Sequence, residues 1–434
     1  MDIRVTSYVD YAVTPMKVWT WVAGAVALAA VGGVAGFGVA AQRELSQITH
    51  EPPFVLPTAQ LPLEPATPSL IDDSVLTHTL STLAQNPGLG QFHGQVSRAS
   101  DGATVFDQAA GEPLQPASVT KVLTAAAAIL ALGPDDTVTT EVVRGVNPDR
   151  VTIKAAGDVW LDAEALDSLA AQVGQAREVF IDTSAWDGMA EMLPGWDPVD
   201  IDGGYVAPLQ PAMLSGGRLA GETTGDVPRS HAPALEVAQA LADRVGAVVV
   251  GVDAAPPDAE VVAKVESPTL VERLDLMMKH SDNVYAEAIG REVALARGSM
   301  DAPATTMTIL SQYGFDLTGV SMVDNSGLST ANLIPPRVLN AILLDAARET
   351  PLRPLLNTLP VAAGEGTLID RYGDLAGRGW VRAKTGTLDG TAALAGTVTS
   401  REGNVYTFAL ICNDADVLAA RRAMDEFTSA LREF

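Results

Sequence analysis

Cysteine is nearly absent from this 434-residue sequence, which has only Cys412. A single thiol excludes an intramolecular disulfide framework and a thiolate metal cluster, and its place beside the apolar run 405–411 favours a small core residue. Histidine is also rare, and no two histidines have the spacing of metal ligands. The five histidines are His50, His78, His93, His231 and His280. The sequence therefore predicts no zinc site, and no cofactor is expected.

Basic residues are few as well. Lys and Arg total 28 against 53 Asp and Glu, which gives a formal net charge of -25. Because nucleic acid is a polyanion and no basic stripe offsets this charge, we expect no binding to DNA or RNA. Hydrophobic residues make up 47% of the chain, enough for a substantial core, and the length suggests about two or three folded units.

One long apolar stretch stands near the N-terminus. Positions 18–41 are 24 consecutive uncharged residues, and a helix of roughly 20 apolar residues crosses a hydrocarbon core. We therefore predict a cytoplasmic segment 1–17, a membrane anchor 18–41 and a remainder that acts outside the cytoplasm, in the cell envelope. Val39-Ala40-Ala41 resembles a signal-peptide cleavage site, so secretion after cleavage stays the alternative, although the length of the stretch favours an anchor.

The rest of the chain divides by composition. Six prolines between positions 52 and 68 fix too many backbone angles for a helix or a central strand, so 42–72 is predicted to be an extended linker. Short β-branched runs then alternate with Ala-rich stretches, which predicts an inserted α/β domain at 141–264. The flanking segments 73–140 and 265–434 are predicted to form one domain.

Hydrophobic periodicity predicts the elements of that domain. Ser100-Asp101-Gly102 separates two strand-like runs and predicts a β-hairpin. An uncharged run of Ala, Leu and Ile predicts a buried helix at 122–132, which ends before Gly133-Pro134. Further helices are expected at 270–279, 284–296 and 417–431, and strands at 380–383, 392–399 and 405–412.

Ser118 and Lys121 stand at the start of the helix predicted at 122–132. Residues three apart are neighbours on a helix, and a lysine that burial keeps partly neutral can take a serine proton. The helix N-terminus also offers free N–H groups that suit an oxyanion. The alternative is a solvated surface pair. The position of Lys121 argues against a surface pair. This lysine is one of only six, and it lies in an uncharged run where an unpartnered ammonium would be costly.

Two further polar motifs follow. Ser281-Asp282-Asn283 lies between two predicted helices, where it either projects polar groups into a cleft or caps the second helix. Lys384-Thr385-Gly386-Thr387 ends a strand-like run before Leu388-Asp389-Gly390 and is either part of a site or a strand end with turn residues. The motifs occur in the order Ser-x-x-Lys, Ser-Asp-Asn, Lys-Thr-Gly, the set of class A β-lactamases and penicillin-binding proteins.

By these motifs the chain resembles the penicillin-recognising serine hydrolases, and among them the D-alanyl-D-alanine carboxypeptidase/endopeptidases of the low-molecular-mass class C type. The resemblance runs from about residue 75 to the C-terminus, and it includes the stretches 115–121, 156–158, 205–208, 324–329 and 366–368. It implies an α/β (α+β) fold of the penicillin-binding-protein/β-lactamase-like transpeptidase type, with an antiparallel sheet flanked by helices, plus the inserted α/β domain.

The resemblance implies an acyl-enzyme mechanism on peptidoglycan stem peptides, with β-lactam antibiotics as covalent inhibitors. Ser118 would attack the carbonyl between two D-alanines, with Lys121 as general base. Ser281 would relay the proton to the leaving amine, and Asn283 would hold the substrate amide and the lysine.

The same resemblance implies that Lys384, Thr385, Gly386 and Thr387 bind substrate. Lys384 and Thr385 would take the terminal carboxylate, and the N–H groups of Thr387 and Ser118 would form the oxyanion hole. The stretch 213–218 departs from the family pattern, which puts its part in substrate binding in doubt.

Three other functions compete with this one. A serine β-lactamase would share the nucleophile, but no Glu-x-x-Leu-Asn deacylation loop follows Asn283, so penicillin should inhibit the protein. A Ser-His-Asp hydrolase would need a Gly-x-Ser-x-Gly elbow, which the sequence lacks. A catalytically silent anchored scaffold would be expected to have lost a polar member of the three motifs, and all of them are present.

Overall fold

The computed structural model describes residues 16–47, 73–348 and 350–434, and its helices and strands are numbered in chain order. The helices are α1 Met16–Gln47, α2 Asp73–Leu83, α3 Lys121–Leu132, α4 Ala163–Val173, α5 Val199–Asp202, α6 Pro233–Val245, α7 Leu270–His280, α8 Asn283–Ala296, α9 Ala302–Tyr313, α10 Pro336–Ala346 and α11 Val417–Glu433. The strands are β1 Gln91–Arg98, β2 Thr104–Gln108, β3 Thr139–Arg144, β4 Arg150–Lys154, β5 Asp158–Leu161, β6 Glu178–Asp182, β7 Ala212–Leu214, β8 Val249–Val252, β9 Glu260–Glu266, β10 Val381–Leu388, β11 Thr391–Thr399 and β12 Val405–Asn413.

Helix α1 contains the predicted anchor. A span of 28 residues, Trp19–Ser46, has a mean hydropathy of 2.0 and is long and apolar enough to cross a membrane. Positions 42–47 of the predicted linker continue this helix. The remainder of the linker, 48–72, and most of the predicted cytoplasmic segment, 1–15, lie outside the described residues.

A five-stranded antiparallel sheet carries strands from both ends of the predicted catalytic domain. Its order is β10, β11, β12, β1, β2, and β1 and β2 form the predicted hairpin. Helices α2 and α11 cover one face through a core that includes Phe408 and Phe427. Helix α10 and the helices around α3 cover the other through small residues such as Ala395 and Ala409. The predicted fold class, an antiparallel sheet flanked by helices, is confirmed.

Helix α3 is the centre of the helical layer. All of its residues from Lys121 to Ile129 are buried, and α8 and α9 pack against it. A helix that is apolar all round fits only an interior position, which explains why the uncharged run folds there. Lys121 is consequently carried into the interior together with its apolar neighbours.

The segment from β3 to β9 contains a second five-stranded sheet. Its order is β8, β6, β4, β3, β9, with β4, β6 and β8 parallel and β3 antiparallel to both of its neighbours. Helices α4 and α6 pack on it through residues such as Leu169 and Leu241. Strands and helices alternate here as the sequence predicts.

Helices α7 and α8 position the Ser-Asp-Asn turn that joins them. Thr269 and Glu272 form a capping box at the start of α7. The fully buried guanidinium of Arg273 in α7 donates to Glu292 in α8 at 3.1 Å and to Asp136 at 2.9 Å. These charge-assisted hydrogen bonds fix one helix against the other, so the turn between them has a defined direction.

Candidate active site

Ser118 lies on a 3-10 turn, Ala117–Thr120, that leads directly into α3. The preceding residue, Ala117, has a φ of +49°, which residues other than glycine rarely adopt. Thr120 Oγ1 donates to the Ala117 carbonyl at 2.8 Å. The backbone of Gly327 lies so close to this carbonyl that a Cβ atom there would be 2.0 Å from its oxygen. The serine is therefore presented from a strained turn that its surroundings hold in place.

Lys121 contacts the serine and two other groups. Its Nζ lies 2.9 Å from Ser118 Oγ, 2.8 Å from Asn283 Oδ1 and 2.7 Å from the Ser326 carbonyl oxygen. The side chain is completely buried, and burial lowers the pKa of Lys121 to about 8 although nearby carboxylates act in the opposite direction. The amine is thus partly neutral near neutral pH, as a general base must be.

A second buried lysine faces the second serine of the motif set. Lys384 Nζ donates to Ser281 Oγ at 2.8 Å and to the Thr385 carbonyl at 2.7 Å. Burial, and then the charge of Lys121, lowers the pKa of Lys384 well below its ordinary value. Each hydroxyl is therefore hydrogen-bonded to its own buried amine.

The Ser-Asp-Asn motif caps α8 and also contacts both buried lysines. Asp282 caps α8 by accepting the N–H of Tyr285 at 2.9 Å, as the alternative interpretation expected. Ser281, in a left-handed conformation with φ +56°, ends α7 and faces Lys384. Asn283 Nδ2 donates to the Tyr205 carbonyl at 3.1 Å while its Oδ1 faces Lys121.

Two arginines hold the buried Asp282 carboxylate. Arg218 and Arg229 both donate to its Oδ2, at 2.5 and 2.8 Å, and all three side chains are almost fully buried. Burial would raise the pKa of Asp282, but the charges of Arg229 and Arg218 hold it far below the usual range. The stretch 213–218, whose role the sequence leaves in doubt, therefore contributes a residue that supports the motif between α7 and α8.

The Lys-Thr-Gly motif lies inside a strand that is longer than the sequence predicts. We predicted a strand at 380–383 with the motif at its end, but β10 runs without interruption to Leu388 and pairs with β11 along its whole length. The turn comes only at Asp389-Gly390, because Gly390 supplies the left-handed backbone that the turn needs. Four polar or small residues stay in the strand because β11 satisfies their backbone groups.

Alternate residues of the motif point to opposite sides of β10, as in any strand. Lys384 reaches Ser281, and Gly386 allows the Pro116 carbonyl to approach so closely that a Cβ atom would lie 2.6 Å from it. On the other side, Thr385 Oγ1 lies 2.8 Å from Thr367 Oγ1. Thr387 Oγ1 accepts from Arg421 at 2.6 Å.

The motifs meet at a cleft of about 910 Å³. Of the predicted site residues, Ser118, Ser281, Asn283, Thr385 and Thr387 line it. Lys121 and Lys384 lie behind the two serines, and Gly386 lies within β10. In the described part of the chain, no three His, Cys, Asp or Glu side chains are grouped to hold a metal ion.

Sequence reasoning missed several residues around this cleft. Tyr205 and Thr367 belong to stretches that carried the family resemblance, but no role was assigned to them. Arg218 and Arg421 also line the cleft and had not been singled out individually. The Ser326 carbonyl is a backbone atom, so the side chain at that position gives no signal of its contact with Lys121.

A serine hydrogen-bonded to a buried lysine, beside the edge strand of an antiparallel sheet, defines the class of penicillin-recognising serine hydrolases. The chain belongs to the D-Ala-D-Ala carboxypeptidase 3 (S13) family, whose model matches residues 76–245 and 227–431. The protein is thus a hydrolase, a penicillin-binding D-Ala-D-Ala carboxypeptidase, and the resemblance found in the sequence is confirmed.

Relatives that match most of the chain are named carboxypeptidases. Carboxypeptidase DacB of Mycolicibacterium smegmatis is 41% identical over 411 residues, covering 88% of this chain and 88% of that protein. A carboxypeptidase of Mycobacterium tuberculosis is 39% identical over 399 residues, covering 84% and 85%. Among solved structures, penicillin binding protein 4 from Haemophilus influenzae has a TM-score of 0.69 at 22% identity, covering 84% of this chain and 100% of that one. This structural likeness supports the fold.

The contact between Gly327 and Ala117 should be essential for presenting Ser118. We expect Gly327→Ala to slow covalent labelling by a fluorescent penicillin at least about hundredfold, because the new methyl group would overlap the Ala117 carbonyl and displace Ser118. Gly221→Ala is the matched control, since Gly221 also has a positive φ but open space around it. Labelling of the Gly327 variant within threefold of the control would contradict this role.

Proposed function

We propose that Ser118 is the nucleophile, forming an acyl-enzyme with the penultimate D-alanine of peptidoglycan stem peptides. The observation that carries this proposal is the hydrogen bond between Ser118 and the completely buried Lys121. The serine Oγ would attack the carbonyl carbon while its proton passes to Lys121, and the tetrahedral intermediate would then expel the terminal D-alanine as an amine.

The surroundings of Lys121 direct its lone pair. A neutral amine has two N–H bonds and one lone pair, whereas Asn283 Oδ1 and the Ser326 carbonyl can only accept hydrogen bonds. Both N–H groups are therefore engaged by these two acceptors, at 2.8 and 2.7 Å. The lone pair remains for the proton of Ser118, the third neighbour of the amine.

The second lysine and serine suit the leaving group. We assign Ser281 to relay the proton to the departing amine and Lys384, with Thr385, to bind the terminal carboxylate. A bound carboxylate favours the ammonium form of Lys384, which burial otherwise disfavours. Oxyanion stabilisation is assigned to the N–H groups of Ser118 and Thr387, with Gly386 between the two substrate-binding threonines.

The size of the cleft favours endopeptidase activity in addition. A D-Ala-D-Ala terminus occupies only a small part of 910 Å³, and the cleft extends along residues 370–375 and the α11 residues 418–426. A cross-linked peptide presents the same D-alanyl carbonyl with a longer leaving group, for which this extension provides room. A structure with a TM-score of 0.54 and 17% identity is a peptidoglycan endopeptidase of Bdellovibrio bacteriovorus, which supports the shared fold.

The location and domains follow from the same assignment. We propose that 73–140 and 265–434 form the catalytic domain and 141–264 the inserted domain, which supplies Tyr205, Arg218 and Arg229 to the site. Helix α1 would keep the enzyme at the outer side of the cytoplasmic membrane, with cleavage and secretion as the alternative. β-Lactams are proposed as covalent inhibitors of Ser118.

The acylation rate should depend on the protonation of Lys121. Because burial lowers the pKa of Lys121 to about 8, labelling by a fluorescent penicillin should rise about tenfold per pH unit below pH 7 and level off above about pH 8. The expected direction follows from the neutral amine being the active form. Rates measured from pH 6 to 9.5, with Ser118→Ala as an unlabelled control, test this expectation. A rate independent of pH, or labelling of the Ser118 variant, would count against it.

Lys384 should discriminate between free and blocked termini. We expect Lys384→Ala to lower kcat/KM for a peptide ending in a free D-Ala carboxylate at least about tenfold more than for its amide, because the lost cation pairs only with the carboxylate. Released D-alanine and D-alaninamide are measured on otherwise identical peptides. Equal losses on both peptides would remove the carboxylate role.

Digestion of purified cell wall separates the two activities. Mass spectrometry of the products counts free D-alanine and lost cross-links independently, and Ser118→Ala serves as the control. We expect both products from the natural chain and neither from the variant. Release of D-alanine with every cross-link intact would reject the endopeptidase activity and keep the carboxypeptidase.

A further inference from the structure

Helix α8 carries a second polar residue on the side that faces Lys121. Glu287 follows Asn283 by four positions, so the two side chains lie one turn apart on the same face. Its side chain is almost fully buried, with a relative exposure of 2%. Glu287 forms no hydrogen bond with Ser118, and no step of the proposed mechanism uses it. A buried carboxyl group next to a catalytic amine requires an explanation, because burying a charge is costly.

The carboxyl group of Glu287 accepts hydrogen bonds from the loop 324–327, which contacts Lys121. Its Oε1 accepts the N–H of Asn325 at 2.9 Å and the N–H of Ser326 at 2.7 Å. The carbonyl of Ser326 in turn accepts from Lys121 Nζ at 2.7 Å. Helix α8 thus acts on both acceptors of Lys121. It carries Asn283, and through Glu287 it holds the loop that carries the Ser326 carbonyl.

Other contacts leave the loop little freedom. Asp324 Oδ1 accepts the N–H of Gly327 at 2.7 Å, and Thr124 Oγ1 in α3 donates to the Asn325 carbonyl at 2.6 Å. Glu287 holds the two peptide units that precede Ser326, and Asp324 holds the unit that contains the Ser326 carbonyl and the Gly327 N–H. The two carboxyl groups therefore determine together where this carbonyl points. A misdirected carbonyl would free one N–H bond of the amine, and the lone pair would no longer be reserved for Ser118.

We propose that Glu287 is a positioning residue for the general base: together with Asp324 it orients the Ser326 carbonyl toward Lys121, and its negative charge favours the protonated form of that amine. This inference rests on the proposed role of Lys121. Burial, and then Asp324, raises the pKa of Glu287 to about 8, so its charge develops in the range where Lys121 titrates. The other charged groups that act on this pair are Asp282, Asp324, Lys384 and Arg291.

Glu287→Gln separates charge from shape, because an amide oxygen can still accept the two loop N–H groups. We expect the midpoint of the pH–rate profile for penicillin labelling to fall by about 0.5 unit or more, since one carboxylate that favours the ammonium of Lys121 is gone. Asp158→Asn is the control, as it also removes a buried carboxyl group whose pKa burial raises, here to about 6. Its midpoint should stay within about 0.2 unit of the natural chain's. A Glu287→Gln midpoint that also stays there would overturn the electrostatic part of the proposal.

Glu287→Asp tests the geometry and also decides the matter if Glu287→Gln does not fold. The charge remains, but the carboxylate is withdrawn by one methylene from the loop. We expect the plateau rate to fall about tenfold or more with the midpoint nearly unchanged. A plateau within twofold of the natural chain's would overturn the positioning role. If the natural chain itself were not labelled by penicillin, the proposed function would fall first, whereas normal labelling with unaffected variants would remove only the role of Glu287.

Discussion

The burial of one amine determines the arrangement of this active site. Lys121 enters the interior because the helix that carries it is apolar on every side. An amine there must find hydrogen-bond acceptors, since an unsatisfied or charged group in a low-dielectric interior costs several kcal/mol. Its three hydrogen-bond partners are Ser118, Asn283 and the carbonyl of Ser326, which come from three separate parts of the chain. The same burial that lowers the pKa of Lys121 therefore also brings the groups of the site together.

The groups around this amine are held by contacts that extend well beyond the cleft. Asp282 is fixed by Arg218 and Arg229, both from the region between the two halves of the proposed catalytic domain. Breaking one partner of a buried ion pair is far more costly than losing a surface pair. The inserted region is thus joined energetically to the turn that bears Ser281 and Asn283. We infer that it supports the site as well as enlarging the wall of the cleft.

Patterns among residues close together in the sequence predicted several of these features correctly. The spacing of Ser118 and Lys121 and the apolar run behind them were sufficient to place a hydroxyl and an amine together at the start of a buried helix, because helix geometry depends on near neighbours. The buried Cys412 and the β-hairpin followed from equally local patterns. The end of β10 was misplaced, because Lys384-Thr385-Gly386-Thr387 is polar in sequence and its strand conformation depends on pairing with β11.

The sequence by itself determined the fold class, the family and the residues of the three motifs, since these depend on residue identity, spacing and order. Only the tertiary structure decided which groups meet. The Ser326 carbonyl, the arginines on Asp282 and the carboxylate of Glu287 reach their partners across long stretches of chain. No periodicity encodes such contacts, because they arise from the packing of helices and loops around a common interior, and a backbone carbonyl is present at every position regardless of its side chain.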